Sequence, residues 1–247
     1  MCFRWLVGAL VLLVLWTVCT AAALVSPLIL PTPWSVAEAL ARGLSGGGFL
    51  RDMGASLYRL LFGFTVGAVA GVIVGVAFGL SRTVYSYAEL AVDFFRSLPV
   101  ITVFPLFMAV FGLGDTAKVA TTIWAVFLIV TVSTIYGIRQ VPRTRVLATR
   151  TLGAKGLFLI THVVIPSAVP SIIGSCRVAI SLGLIVVVMT EMFTGTDYGL
   201  GKRIYNAGLI YEMPTMYGAI LITGLLGYLL NKVIMLFEQK LSAWCGG

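Results

Sequence analysis

Long apolar segments are the feature of this sequence that most restricts its fold. Six segments reach or exceed the roughly 20 residues that a helix needs to cross the hydrocarbon of a bilayer. They are Trp5–Val25, Leu57–Leu80, Tyr87–Phe111, Thr116–Gly137, Val169–Phe193 and Thr215–Phe237. Only 11% of the residues are charged, against about 25% in soluble domains, and 60% are hydrophobic. The pattern predicts an all-α integral membrane protein with six transmembrane helices.

The first apolar segment has two interpretations. It follows Arg4, and Ala21-Ala22-Ala23 could serve as the small residues of a signal-peptide cleavage site. Because the run is longer than the 7–15 residues of a typical signal-peptide core, we expect a retained span instead. Residues 26–56 are rich in proline and glycine and predict an external loop with a short helix. We therefore divide the chain into an N-terminal arm (1–55), a core of five helices (56–237) and a tail (238–247).

The distribution of positive charge predicts the orientation. The net charge is +8, and the segment from Arg139 to Lys155 contains five basic residues and no acidic one. Cytoplasmic loops of membrane proteins collect Lys and Arg, so we place this segment in the cytoplasm, and six spans then place both termini there too. The same rule explains the positive charge without a nucleic-acid partner. The four cysteines are scattered without CxxC spacing, so neither a disulfide framework nor a metal site is predicted.

The cytoplasmic segment, residues 139–168, predicts two short helices separated by Gly153, with apolar residues among the basic ones. Its sequence from Leu147 to Ala154, followed by Val163-Val164-Ile165-Pro166, resembles the EAA loop of ABC importer permeases. The resemblance continues through Arg177 to Glu191 and the Tyr-Gly-Leu-Gly at 198–201, and it covers about residues 56–237. The most similar subgroup is the nitrate, sulfonate and taurine permeases.

This resemblance implies a type I ABC importer permease of a bacterial inner membrane, with a coupling helix that docks on an ATPase. The coupling residues would be Leu147, Ala148, Thr149, Arg150, Leu152, Gly153, Ala154 and Lys155. The expected partners are ATP-binding subunits, a second permease copy, a substrate-binding protein and membrane lipid. ATP and Mg would be bound by the partner ATPase, and this chain lacks a Walker motif of its own. The family's glutamate is replaced here by Leu147, which puts the usual ion pair with the ATPase in doubt.

A ladder of glycines in the second span predicts close helix packing. The glycines recur every four residues, at Gly63, Gly67, Gly71, Gly75 and Gly79. Small residues at this spacing let two membrane helices approach closely. A flexible gate is the alternative interpretation.

Charged and kinked positions are the candidates for the translocation pathway. Glu89, Asp93 and Arg96 lie on one helical face, where they could pair with one another or line the inner mouth of a pathway. Pro99 would break the same span. Glu191 is the best single candidate for a gate residue, because intramembrane charges are often functional, but it could equally be a capping or interfacial carboxylate.

Two other classes of membrane protein fit the sequence less well. A membrane enzyme would need clustered catalytic side chains, and the chain has one histidine, His162, and no hydrolase or protease motif. A channel or secondary transporter would show internal repeats or intramembrane ionisable relays, and neither is found. We therefore expect no catalytic residue here. The substrate is expected to be a small anion such as nitrate, a sulfonate, taurine or bicarbonate; an uncharged pyrimidine precursor or an aromatic compound is the alternative.

Overall fold

The computed structural model describes residues 2–46, 48–193 and 196–244, and within these ranges all regular structure is helical. The N-terminal helices are α1 (Cys2–Ala21), α2 (Pro33–Ser45) and α3 (Phe49–Leu80). The central ones are α4 (Arg82–Ser97), α5 (Val100–Phe111), α6 (Asp115–Arg139) and α7 (Arg143–Thr151). The C-terminal helices are α8 (Gly156–Leu159), α9 (Ile165–Phe193), α10 (Leu200–Leu209) and α11 (Met213–Trp244), and a π-helical turn, Ile160–Val164, joins α8 to α9.

Within the part of the chain that the structure describes, four continuous helical segments are long and apolar enough to cross a membrane. They are Phe49–Leu80, Asp115–Arg139, Gly156–Phe193 and Met213–Lys240. A fifth span is formed if α4 and α5, which meet at an angle of 96°, are taken together. Where the first span was predicted, the described side chains form a shorter apolar helical stretch, Leu10–Ala21. A sixth span therefore stays a prediction.

Local sequence explains the sharp break between α4 and α5. Leu98 precedes a proline, which disfavours helical backbone, and it adopts an extended conformation with ψ 128°. Pro99 then stands at the N-cap of α5. The second proline of this region, Pro105, is accommodated inside α5, so the break occurs at only one of the two prolines.

Several predicted boundaries differ from the structure. The turn expected at 81–86 is a single residue, because the Ser81 hydroxyl accepts a hydrogen bond from the Val84 N–H and starts α4 at once. Helix α3 begins at Phe49, inside the predicted loop, and α10 was not predicted. The predicted tail, 238–247, begins inside α11, and its last three residues lie outside the described part of the chain.

The chain divides into two compact units, each containing parts of the long helices. One unit comprises Met1–Ser56 and Glu191–Leu225, and the other comprises Leu57–Thr190 and Leu226–Gly247. In the first unit, Phe49 is buried against Gly43, and the Trp16 indole N–H donates to the Pro31 carbonyl at 3.0 Å. In the second unit, α6 supplies many of the buried side chains, among them Val126 and Val130.

Candidate functional site

The segment predicted to couple to a partner forms an exposed helix with a well-defined end. No residue of α7 is buried. The Gly153 N–H donates to the Arg150 carbonyl and the Ala154 N–H to the Thr149 carbonyl, which is a Schellman arrangement. Gly153 has φ +89°, a conformation that glycine adopts without the penalty paid by other residues. The glycine therefore fixes where α7 ends and in which direction the chain leaves it.

Apolar side chains of this segment lie in the open. Leu147 is 59% exposed and Leu152 is 87% exposed, and beyond the glycine Leu157 is 75% exposed. Of the other predicted coupling residues, Thr149 and Ala154 are half-buried and the rest are exposed: Ala148, Arg150, Gly153 and Lys155. The segment thus presents leucines and cations together on a surface that nothing in the described chain covers.

The segment is fastened to the following span by a few polar and aromatic contacts. Arg145 donates from Nη1 to the Ser167 hydroxyl at 3.0 Å. His162 stacks on Phe158 with ring centroids 4.2 Å apart, and it lies in the π-helical turn before α9. Such π-helical turns often mark functional positions in helices.

The glycine ladder of α3 faces α6 of the same chain. A Cβ placed on each of the five glycines would come within 2.5–3.0 Å of an α6 atom. The α6 residues involved also recur every four positions: Thr122 opposite Gly63, Val126 and Ile123 opposite Gly67, Val130 opposite Gly71, Thr134 opposite Gly75, and Ile138 opposite Gly79. The two helices therefore pack closely against each other over about four turns.

Two of the three pathway candidates lie at the α4–α5 break. Arg96 pairs with Asp93 at 3.3 Å, and both side chains are about half exposed. Pro99 is exposed as well. Glu89, the third member of the predicted charged face, lines a cavity of about 500 Å³ together with Tyr85 and Arg139.

The third candidate, Glu191, is enclosed in a buried polar cluster, which we call the α10 cap. Its Oε2 accepts a hydrogen bond from the Gly201 N–H, and the Ser56 hydroxyl lies 2.9 Å from both carboxylate oxygens. Ser56 in turn accepts from the Leu200 N–H, and Asp52 accepts from the Gly199 N–H at 3.0 Å. Three successive N–H groups at the start of α10 are thus satisfied by side chains from α3 and α9.

The α10 cap explains why residue 199 is a glycine. Its φ is +151°, and a Cβ there would lie 2.5 Å from the Glu191 carboxyl carbon. Arg203 closes the cluster through an ion pair with Asp52. Sequence reasoning missed Asp52 and Arg203. A glycine followed by the amphipathic stretch 200–209 is the signal that could have revealed α10 and its need for a cap.

A second charged cluster lies at the start of α6. The Asp115 Oδ1 forms ion pairs with the Arg59 Nη2 at 2.8 Å and with the Lys118 Nζ at 3.7 Å. The Lys118 side chain is fully buried. Among the described residues, no group of His, Cys, Asp or Glu side chains has the geometry of a metal site.

Comparison with known proteins identifies the family. Residues 67–244 match the model of the binding-protein-dependent transport system inner membrane component. The chain belongs to this family of ABC transporter permeases. A probable ABC transporter permease protein of Brucella melitensis is 32% identical over 93% of this chain and 92% of its own. The predicted membership and the all-helical permease fold are confirmed.

Relatives with more specific descriptions fall in the predicted subgroup. The taurine transport system permease protein of Escherichia coli is 30% identical over 96% of this permease and 88% of the relative. A putative aliphatic sulfonates transport permease protein of Bacillus subtilis is 27% identical, covering 98% and 88%. Among solved structures, the MetNI methionine ABC transporter in an inward-facing conformation matches with a TM-score of 0.68. It is 20% identical and covers 78% of this permease and 95% of its chain, so it supports the fold.

Proposed function

We propose that this permease forms the translocation pathway of an ATP-driven importer and that the segment from Arg139 to Ala168 transmits ATP-dependent movements of a partner subunit. The observation that carries the proposal is the exposed surface of α7 and α8. A protein surface that faces only water would not present three leucines together at 59–87% exposure beside four exposed cations. The leucines are Leu147, Leu152 and Leu157.

Docking in a groove accounts for this composition. Burying a leucine side chain contributes about 1.5–3 kcal/mol, and amphipathic helices commonly bind in apolar grooves. The cations Arg143, Arg145, Arg150 and Lys155 have no acidic neighbour within the segment, so they favour a groove with a carboxylate-rich rim. The Schellman end at Gly153 gives the docked helix a fixed direction relative to α9.

The remaining parts of the proposed importer follow from the family. ATP-binding subunits bind ATP and Mg, a second copy of this permease completes the pathway, and a binding protein delivers the substrate. The basic segment 139–155 and both termini lie in the cytoplasm by the positive-inside rule. The substrate is a small compound with an oxyanion group, such as a sulfonate, taurine, nitrate or bicarbonate. Support for the oxyanion group comes from the taurine and aliphatic sulfonate relatives of this permease.

The coupling role is tested with a matched pair of substitutions in α7. Leu147→Asp places a charge where we expect an apolar contact, whereas Thr144→Asp changes an exposed residue in the first turn of the same helix, where an acidic side chain is favourable. We expect Leu147→Asp to lose most ATP-driven uptake and Thr144→Asp to retain it, at equal amounts of membrane-inserted protein. Equal uptake by both variants would contradict the docking surface.

The substrate class is tested in proteoliposomes that contain the complete complex, with ATP inside and the binding protein outside. Radiolabelled taurine, methanesulfonate and nitrate are the probes, and an uncharged pyrimidine is the comparison. We expect accumulation of at least one of these three oxyanion-bearing compounds, and we expect it to stop when ATP is omitted. Accumulation of the pyrimidine alone would contradict the anion assignment.

A further inference from the structure

One arginine lies inside the apolar length of the span formed by α8, the π-helical turn and α9. Between Lys155 and Glu191 it is the only Lys, Arg, Asp or Glu in the sequence: Arg177. It stands sixteen residues before Phe193, about 24 Å along a helix, while the hydrocarbon of a bilayer is about 30 Å thick. Taking Phe193, the last residue of α9, as the outer edge of the hydrocarbon places Arg177 within this layer, in the third nearer to the coupling segment.

Side chains on two helices hold the arginine in place. Its Nε donates to the Asn231 Oδ1 at 2.7 Å, and the Asn231 Nδ2 donates to the Ser181 hydroxyl at 3.0 Å. Because the amide nitrogen is engaged by Ser181, the amide oxygen is directed at the guanidinium. This hydrogen bond joins Arg177 on α9 to Asn231 on α11.

The outer nitrogens of this guanidinium remain available. Arg177 is exposed, and among the residues that the structure describes no carboxylate pairs with it. A guanidinium facing hydrocarbon is unfavourable, so the exposed side favours water, an anion or a polar protein surface over lipid. The planar fork of the two Nη groups matches the paired oxygens of an oxyanion.

We infer that Arg177 is an anion-binding residue of the translocation pathway, positioned by Asn231 and Ser181, and that its ligand is the singly charged oxyanion group of the substrate. The inference rests on the proposed import of anions. It adds a named contact in the membrane, in the part of the pathway nearer to the coupling segment.

Uptake by three variants tests the contact. Arg177→Gln removes the charge and should lower uptake of whichever of taurine, methanesulfonate and nitrate is transported by about tenfold or more, as expected for loss of a hydrogen bond to a charged group. Arg177→Lys keeps the charge and should retain part of the uptake. Lys232→Gln is the control, since Lys232 is an exposed cation directly after Asn231 whose Nζ lies 3.4 Å from the Tyr228 hydroxyl, and its uptake should stay within twofold of wild type.

A labelling experiment separates a binding role from a structural one. In a background with all four cysteines replaced by alanine, Arg177→Cys should react with an anionic, water-soluble methanethiosulfonate, as expected for a position that faces an aqueous pathway. Absence of labelling would place position 177 against lipid or a protein interface and overturn the inference.

The two proposals fail differently. If the wild-type complex accumulates none of the tested anions, anion import is wrong and the inference falls with it. If the wild type accumulates an anion and Arg177→Gln accumulates it equally well, the inference alone is overturned.

Discussion

The packing of α3 on α6 gives a quantitative prediction for Gly67→Ala. A Cβ at this position would lie 2.7 Å from the Ile123 carbonyl oxygen and 3.2 Å from the Phe127 nitrogen. Both atoms belong to the backbone of α6, so no side chain can turn aside to make room. Restoring an ordinary contact of 3.4 Å to the carbonyl requires the helices to separate by about 0.7 Å at this point.

The magnitude follows from two opposing terms. Overpacking a well-packed site typically costs about 1–3 kcal/mol. Replacing glycine by alanine within a helix stabilises the folded protein by about 1 kcal/mol, because alanine has the higher helix propensity. Gly54→Ala is the matched control, because Gly54 lies on the same helix and has open space around its Cβ position. The second term is common to both variants, so we expect Gly67→Ala to be less stable than Gly54→Ala by about 1–3 kcal/mol.

Thermal unfolding of the purified permease in mild detergent measures this difference. For a chain of this size, 1 kcal/mol corresponds to about 2–4 °C, so the two midpoints should differ by roughly 2–12 °C. A Gly67→Ala variant that unfolds at the same temperature as Gly54→Ala, or above it, would refute the close packing of the two helices.

Three further predictions concern the α10 cap, the break at Pro99 and the coupling segment. Gly199→Ala should lower the unfolding temperature by several degrees, because its backbone conformation and the Glu191 carboxylate both oppose a Cβ, while the exposed Gly46→Ala should change it little; equal effects would argue against the cap. Pro99→Ala should relax the 96° bend, which spin labels at Leu90 and Leu106 would report as a longer distance; an unchanged distance would show that proline does not hold the bend. Gly153→Trp and Ala148→Trp should abolish ATP-driven uptake while membrane insertion stays normal, and unchanged uptake in an inserted variant would exclude this segment from coupling.

The sequence predicted the class of fold well because membrane helices are encoded locally. A span needs only a sufficient apolar length, and the positions of the four long spans follow directly from that requirement. The glycine repeat likewise predicted close packing, although the partner helix, α6, became clear only from the structure. The motif at 147–154 predicted an exposed helix ended by a glycine, and local backbone chemistry explains why.

What the sequence did not predict depends on contacts between distant residues. The α10 cap brings Asp52 and Ser56 close to Glu191, which lies more than 130 positions away in the sequence. No local sequence pattern predicts a contact over such a separation. Glu191 was predicted as a gate residue or a cap, and the structure places it as a cap of α10, with the gating role untested. The hydrogen bond between Arg177 and Asn231 is of the same kind, joining residues 54 positions apart.

Purification of the tagged wild-type permease from its native membrane, in a gentle detergent, is the most direct test of the central claim. The amount of every co-purifying protein is measured relative to the permease. We expect an ATP-binding subunit in roughly equal amount, with a binding protein recovered when the substrate is present. A permease recovered alone in several detergents would contradict ATP-driven import and favour an autonomous channel or carrier.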